Sequence, residues 1–259
     1  MLGTTFMLSS IRRILGTQQI MRRLEMMGRR PMDEAVVMAI RNASPDSYFR
    51  CIFNDRELLI PQHTLRTMAH CIHAQIDAPF IVNVESNHMN WLHSKLHAGD
   101  VFLDIGAATG AMTLPIAASS PGVHIIAFEP SRTANRVLRE TLRLNKIDGV
   151  EIFDSALSDC GGRTQFVEFE HDPTGQTPFQ PEASAILAPT TENLALPHQH
   201  YDVPVTTLDE FFVGRNDASK VRAVKIDVEG FETKVLQGAT RFFGFIRLMR
   251  ILSYVVPIS

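Results

Sequence analysis

The chain has 259 residues, of which 45% are hydrophobic and 20% charged, with a formal charge of −3. That length suits one α/β domain with an N-terminal extension better than two equal domains, and the composition excludes bulk disorder. The small net charge gives no electrostatic case for a polyanion, and no aromatic–basic stripe speaks for nucleic acid. Cys51, Cys71 and Cys160 are widely spaced and form no C-x-x-C pair. Neither a zinc knuckle nor a disulfide framework is predicted, and a reducing, cytoplasmic setting is expected. No apolar run is long enough to span a bilayer, and the first arginines follow apolar residues rather than precede them, unlike a signal peptide.

In chain order, residues 1 to about 97 read as largely helical. Arg12, Arg13, Arg22, Arg23, Arg29 and Arg30 cluster where apolar positions keep only a loose helical period, the pattern of a solvated accessory helix. Asn54-Asp55 offers the turn of a short hairpin around 48–60. Then Gly99-Asp100 leads into a short apolar run, 101–105, that ends at Gly106. A helix is predicted over 111–119, a buried strand over 124–128 and an amphipathic helix over 133–144, where Val137, Leu138, Leu142 and Leu144 oppose Arg132, Arg136, Arg139 and Arg143. Further strands are expected at 150–153 and, shorter, at 164–168. A proline-punctuated irregular stretch follows from His171 to about Tyr201, with regular order again from Val203. The last predicted elements are a strand at 223–227, a helix at 231–243 and a strand-like tail from Arg250. This alternation predicts an α/β fold with an open, doubly wound, mostly parallel sheet, as residues 91–259 behind a helical accessory region of residues 1–90.

Three strand ends carry the chemistry. Asp104-Ile-Gly106-Ala107-Ala-Thr-Gly110 sits at a strand-to-helix junction, where glycines permit a sharp bend and a close ligand. Glu129 closes the next strand, where an acid accepts hydrogen bonds from both hydroxyls of a ribose. That acid suits a nicotinamide dinucleotide and S-adenosylmethionine equally. The glycine spacing separates them, because a pyrophosphate needs G-x-G-x-x-G and the chain has Gly106-x-x-x-Gly110. The third end, Lys225-Ile-Asp227-Val-Glu229-Gly230-Phe-Glu232, gathers three carboxylates around a glycine, as a general base or cation site requires. The plainer reading is that Glu229 and Glu232 serve the first turn of the following helix. His70, His73, His93, His97, His198 and His200 lack the acid or cysteine that would complete a metal set, so no metal is predicted. His171, His198 or His200 offers a base if the proline-rich stretch closes over the site. Trp91 reads as packing.

Together these blocks resemble the FkbM-type methyltransferases, S-adenosylmethionine-dependent O-methyltransferases. The resemblance runs from about Leu92 to Thr240. It covers Asp104-x-Gly106-Ala107-x-x-Gly110-x-x-Thr113, Phe128-Glu129-Pro130, Ala156-Leu157-Ser158-Asp159 with Gly161-Gly162, Val205-Thr206-Thr207-Leu208-Asp209, and Lys225 to Glu232 with Leu236-x-Gly238-Ala239. It implies a class I, Rossmann-like methyltransferase fold. Asp104, Gly106 and Gly110 would line the methionine and ribose end of S-adenosylmethionine, beside Ala107, Thr113 and Pro130. Glu129 would hold the ribose, Ser155 and Ala156 would lie near the adenine, and Asp227 would sit closest to the methyl, with Glu229 as second candidate base. The implied acceptor is a hydroxyl on a small molecule or glycan.

Two departures from the family pattern stand out. Ala108 replaces the usual Asn after Gly-Ala, and the residues after Phe245 depart from the family's fifth strand and closing hairpin. The C-terminal strands are therefore expected to be incomplete, from truncation or because another chain, such as a second copy, completes the sheet. The rival reading is a methyltransferase-fold scaffold that binds the donor without turnover.

Overall fold

The computed structural model describes residues 31–44, 46–68, 71–75, 79–169, 185–186, 198–228, 230–245 and 250–253. The early arginine cluster, His70, His171 and most of the proline-punctuated stretch lie outside them. The chain divides into two compact units between Val84 and Glu85, six residues before the boundary expected from sequence.

The first unit contains α1 (Pro31–Arg41), β1 (Tyr48–Phe53), β2 (Arg56–Pro61), α2 (Gln62–Thr67), β3 (Ile72–His73) and β4 (Phe80–Val82). The expected hairpin forms, and Asn54 and Asp55 carry it at φ 40° and 67°, the left-handed pair of a tight two-residue turn. Where the sequence reads mainly as helix, there is also a four-stranded sheet in the order β2-β1-β4-β3. Strands as short as β3 and β4 leave too few residues for alternation to register. The Asn54 amide closes this unit: Nδ2 donates to the Val84 carbonyl at 2.9 Å and Oδ1 accepts the Val84 N–H at 2.8 Å. Burial in this sheet pushes the Cys51 thiol up to about 12, which keeps it protonated and unreactive.

The second unit opens with α3 (Ser86–Lys95) and continues through β5 (Val101–Ile105), α4 (Thr113–Ser119), β6 (His124–Phe128), α5 (Arg132–Leu144) and β7 (Val150–Phe153). Later come α6 (Leu208–Phe211), β12 (Val221–Ile226), α7 (Glu232–Gln237), α8 (Thr240–Phe245) and β13 (Arg250–Ser253). The five strands pair in the order β13-β12-β5-β6-β7, every pair parallel. The strand-like tail is thus the edge strand beside β12. Every residue of β5 is buried, as a strand covered on both faces requires. Alternate residues feed two cores. Leu103, Ile105, Ile126, Val224 and Ile226 pack with Leu208, Val235 and Phe242, while Phe102, Ile125 and Ala223 pack with Met89, Leu92, Met112 and Ile116. Each of these leucine, isoleucine, valine, phenylalanine and methionine side chains contributes about 1.5–3 kcal/mol. Trp91 packs against the second core, as expected. The Ser131 hydroxyl caps α5 by accepting the Ala134 N–H at 3.0 Å.

Two regions differ from expectation. The strand expected at 164–168 is longer, β9 (Gly162–Phe169), and it pairs antiparallel with β11 (His198–Thr206). With β8 (Ala156–Leu157) and β10 (Ala185–Ile186) they form a separate sheet, β10-β9-β11-β8, with its own core of Ala156, Phe166 and Val203. The helix expected over 231–243 is broken into α7 and α8. At the break a Cβ on Gly238 would lie 2.0 Å from the Ser158 carbonyl oxygen. Asp209 then starts α8 afresh, accepting the N–H groups of Phe242 at 2.7 Å and Arg241 at 3.1 Å. No helix among the described residues is long and apolar enough to cross a membrane.

Gly238→Ala adds only a methyl at a backbone angle alanine tolerates, so its effect is steric. It is expected to destabilise the protein by about 3 kcal/mol in urea unfolding.

Candidate functional site

The carboxyl ends of β5, β6 and β12 converge. After β5, the N–H groups of Gly106 and Ala107 both donate to the Phe128 carbonyl at the end of β6, at 2.9 and 3.1 Å. The Asp227 N–H donates to Ile105 O at 3.0 Å. Gly106 has φ +79°, and a Cβ there would lie 1.8 Å from the Asp227 carbonyl oxygen. Gly110, at φ +96°, would press a Cβ into Leu138 and Leu114. Both glycines are therefore required by the approach of neighbouring protein atoms.

Glu129 is buried against this bend. Its Oε2 accepts the Ala108 N–H and its Oε1 the Ser131 N–H, each at 2.7 Å. Burial lifts its carboxyl to about 7, against the opposing pull of those two amides and the Lys225 charge. Each oxygen keeps a lone pair for one further hydrogen bond. The acid closing β6 and the bend closing β5 thus share one hydrogen-bonded unit. Pro130 follows, half-buried.

Asp104 is fully buried. Thr113, also fully buried, donates its hydroxyl to Asp104 Oδ2 at 2.6 Å and so supports that carboxylate from behind. The Lys225 ammonium forms an ion pair with Asp104 Oδ1 at 3.3 Å, and among the described residues that oxygen has no other polar partner. Lys225 donates to Gly106 O at 2.6 Å and stands 3.6 Å from Asp227 Oδ2. Burial pulls this ammonium down, but the carboxylates of Asp104 and Asp227 outweigh it and hold it above its ordinary value.

Asp227 keeps about a third of its side chain exposed (34%) beside the bend. Glu232 opens α7 and its Oε1 accepts the N–H groups of Val228 and Gly230, in the turn before the helix, at 3.1 and 3.2 Å. Glu229 lies outside the described residues. Ser155 is half-buried and Ala156 buried, just past β7. The preceding residue, Asp154, is linked to Glu129 through Asn135, whose Nδ2 donates to Glu129 O at 3.1 Å and to Asp154 Oδ1 at 2.9 Å. His93 pairs with Ser119 at 2.7 Å and His200 is exposed on β11.

Sequence reasoning assigned no role to Lys225, although a lysine inside an otherwise apolar strand was a usable signal. It also missed Glu168. On β9, this carboxylate accepts the Ser131 hydroxyl at 2.6 Å, the Thr133 N–H at 2.9 Å and the Tyr201 hydroxyl at 2.6 Å. Burial pushes Glu168 up, but these donors outweigh it and hold it below the usual range. Arg132 stacks 3.9 Å over the Tyr201 ring.

Ala108 has φ +48°, a left-handed conformation costly for alanine and better tolerated by Asn or Gly. The residue that departs from the family pattern is thus held in a strained conformation. Ala108→Gly is expected to stabilise the fold by about 1 kcal/mol in urea unfolding, with Ala108→Asn intermediate.

No curated protein matches the chain. Among solved structures, coclaurine N-methyltransferase bound to N-methylheliamine and SAH is 17% identical over 57% of this chain and 47% of its own, with TM-score 0.27. Trm5b from Pyrococcus abyssi is 13% identical over 51% and 44%, with TM-score 0.29. A protein-L-isoaspartate O-methyltransferase is 16% identical over 32% and 27%, with TM-score 0.24. The chain spans about half or less of the length of each. The methyltransferase FkbM domain matches residues 104–252, more than half of the chain and all three strand ends. The chain belongs to the FkbM methyltransferase family.

Proposed function

We propose that the protein transfers a methyl group from S-adenosylmethionine to a hydroxyl oxygen of a small molecule or glycan. The observation that carries the reading is the 2.7 Å hydrogen bond from Ala108 to Glu129, which joins the acid of β6 to the bend of β5. The residues fit the donor: Glu129 has acceptor capacity left for a ribose diol, and the site holds no G-x-G-x-x-G bend for a pyrophosphate. When bound, S-adenosylmethionine supplies an electrophilic methyl group on a sulfonium.

The chain's own residues do the rest. Glu129 accepts the ribose hydroxyls, and Asp104, Gly106, Ala107 and Gly110 shape the bend that carries the methionine end, with Thr113 bracing Asp104. Pro130, Ser155 and Ala156 flank the adenine. Asp227, partly exposed at the end of β12, orients the acceptor hydroxyl and takes its proton, with Glu229 next in line.

Calorimetry with S-adenosylmethionine tests the donor. Glu129→Ala is expected to weaken binding by about thirtyfold or more while retaining its circular dichroism. Wild type that bound NAD and not the methyl donor would end the reading. Isotopically labelled donor incubated with cell extract then identifies the acceptor, and donor binding without labelled product would favour the scaffold reading.

Glu129 also sets a pH dependence. Its carboxyl is held near 7, so it is mostly protonated at pH 6 and mostly ionised at pH 8. Only the ionised form offers both oxygens as acceptors. Donor affinity is therefore expected to be about tenfold weaker at pH 6 than at pH 8, with a proton released on binding at the lower pH. Glu129→Gln should abolish this difference.

A further inference from the structure

Lys225 is the feature of the site that donor binding leaves unexplained. Among the described residues, the carboxylates of Asp104, Glu129 and Asp227 all face the bend after β5, and Glu85 adds its negative charge to the field felt by Lys225. Glu85 is itself held at φ +46° at the head of α3, a left-handed conformation that a non-glycine residue adopts at a cost. A pocket of carboxylates alone would grip a cationic sulfonium tightly. Such binding stabilises the ground state and is lost as the positive charge disappears during transfer, so it raises the barrier. A buried ammonium offsets this. Lys225 lies within 3.6 Å of two of the carboxylates and is fixed in place by its 2.6 Å bond to Gly106 O.

We propose that Lys225 is a positioning residue whose buried charge tempers the acidic pocket, biasing it away from the cationic donor and toward the neutral thioether product, while fixing Asp227 against the Gly106 bend. The inference rests on the donor reading above. In the reaction it serves, the bond from the methyl carbon to the acceptor oxygen forms as the carbon–sulfur bond breaks. The bonding pair stays on sulfur, and the hydroxyl proton passes to Asp227. Sulfur alone loses its charge in the donor, and it is this change that an ammonium nearby favours.

The test is the ratio of affinities for S-adenosylmethionine and S-adenosylhomocysteine, measured by calorimetry at pH 8. A purely structural lysine moves both affinities together, whereas a charge moves their ratio. Wild type is expected to bind the homocysteine product more tightly. Lys225→Met should shift the ratio toward the cationic donor by about tenfold, and Lys225→Arg, which keeps the charge, should hold it within about threefold of wild type. Equal losses for both ligands in Lys225→Met would overturn the proposal, as would the same ratio shift in Lys225→Arg. Lys225→Met leaves Asp104 without its counter-charge. Should it fail to fold, wild type decides alone, and donor binding as tight as product binding rejects the idea. Wild type binding neither ligand would instead sink the donor reading, and this inference with it.

Discussion

The bend at Gly106 lies directly against the main chain of Asp227, with no space between them for even a methyl group. That contact brings the end of β5 and the end of β12 to within hydrogen-bonding range, through Ile105 O and the Asp227 N–H. The carbonyl of Gly106 then meets the lysine of β12, and its N–H meets the carbonyl that ends β6. Three strands are thus tied at one point by main-chain groups that a side chain would displace. Backbone rather than rotamers sets the geometry, which makes the site stiff where precision matters most.

Around this point the charges are arranged in layers. Thr113 braces Asp104 from below, and Lys225 stands between Asp104 and Asp227. Glu129 is fastened at both oxygens by amides of two different loops. Ser131 extends the chain of bonds outward, since its hydroxyl reaches Glu168 on the neighbouring sheet while capping α5. The candidate donor pocket and the side sheet are therefore parts of one polar network.

How much of this the sequence revealed depends on the range of each interaction. β5 and β6 were legible to the residue because the apolar runs 101–105 and 124–128 end abruptly at glycine or at Glu-Pro, whereas β12 spans Val221–Ile226 where 223–227 was expected. The acid at the end of β6 was legible for the same reason. The side sheet was legible only as a shorter strand at 164–168 and renewed order from Val203, because β9 and β11 find each other across a long intervening stretch. The break between α7 and α8 was hidden too: Asp209, which accepts N–H groups at the start of α8, and Ser158, against which Gly238 leaves no room for a Cβ, are both far away in sequence. Lys225 was read as part of a motif without a task, since its partner Gly106 lies 119 positions away. The strain at Ala108 needed a backbone angle, which composition does not supply.

The β9–β11 ladder has a consequence for how such a protein can diversify. Its register runs unbroken from Gly162 opposite Val205 to Phe169 opposite His198. The ladder therefore fixes the two points, after Phe169 and before His198, where the intervening chain leaves and rejoins this sheet. Changes of length in that chain meet the same pair of ladder ends, on a sheet other than the five-stranded one that carries Asp104.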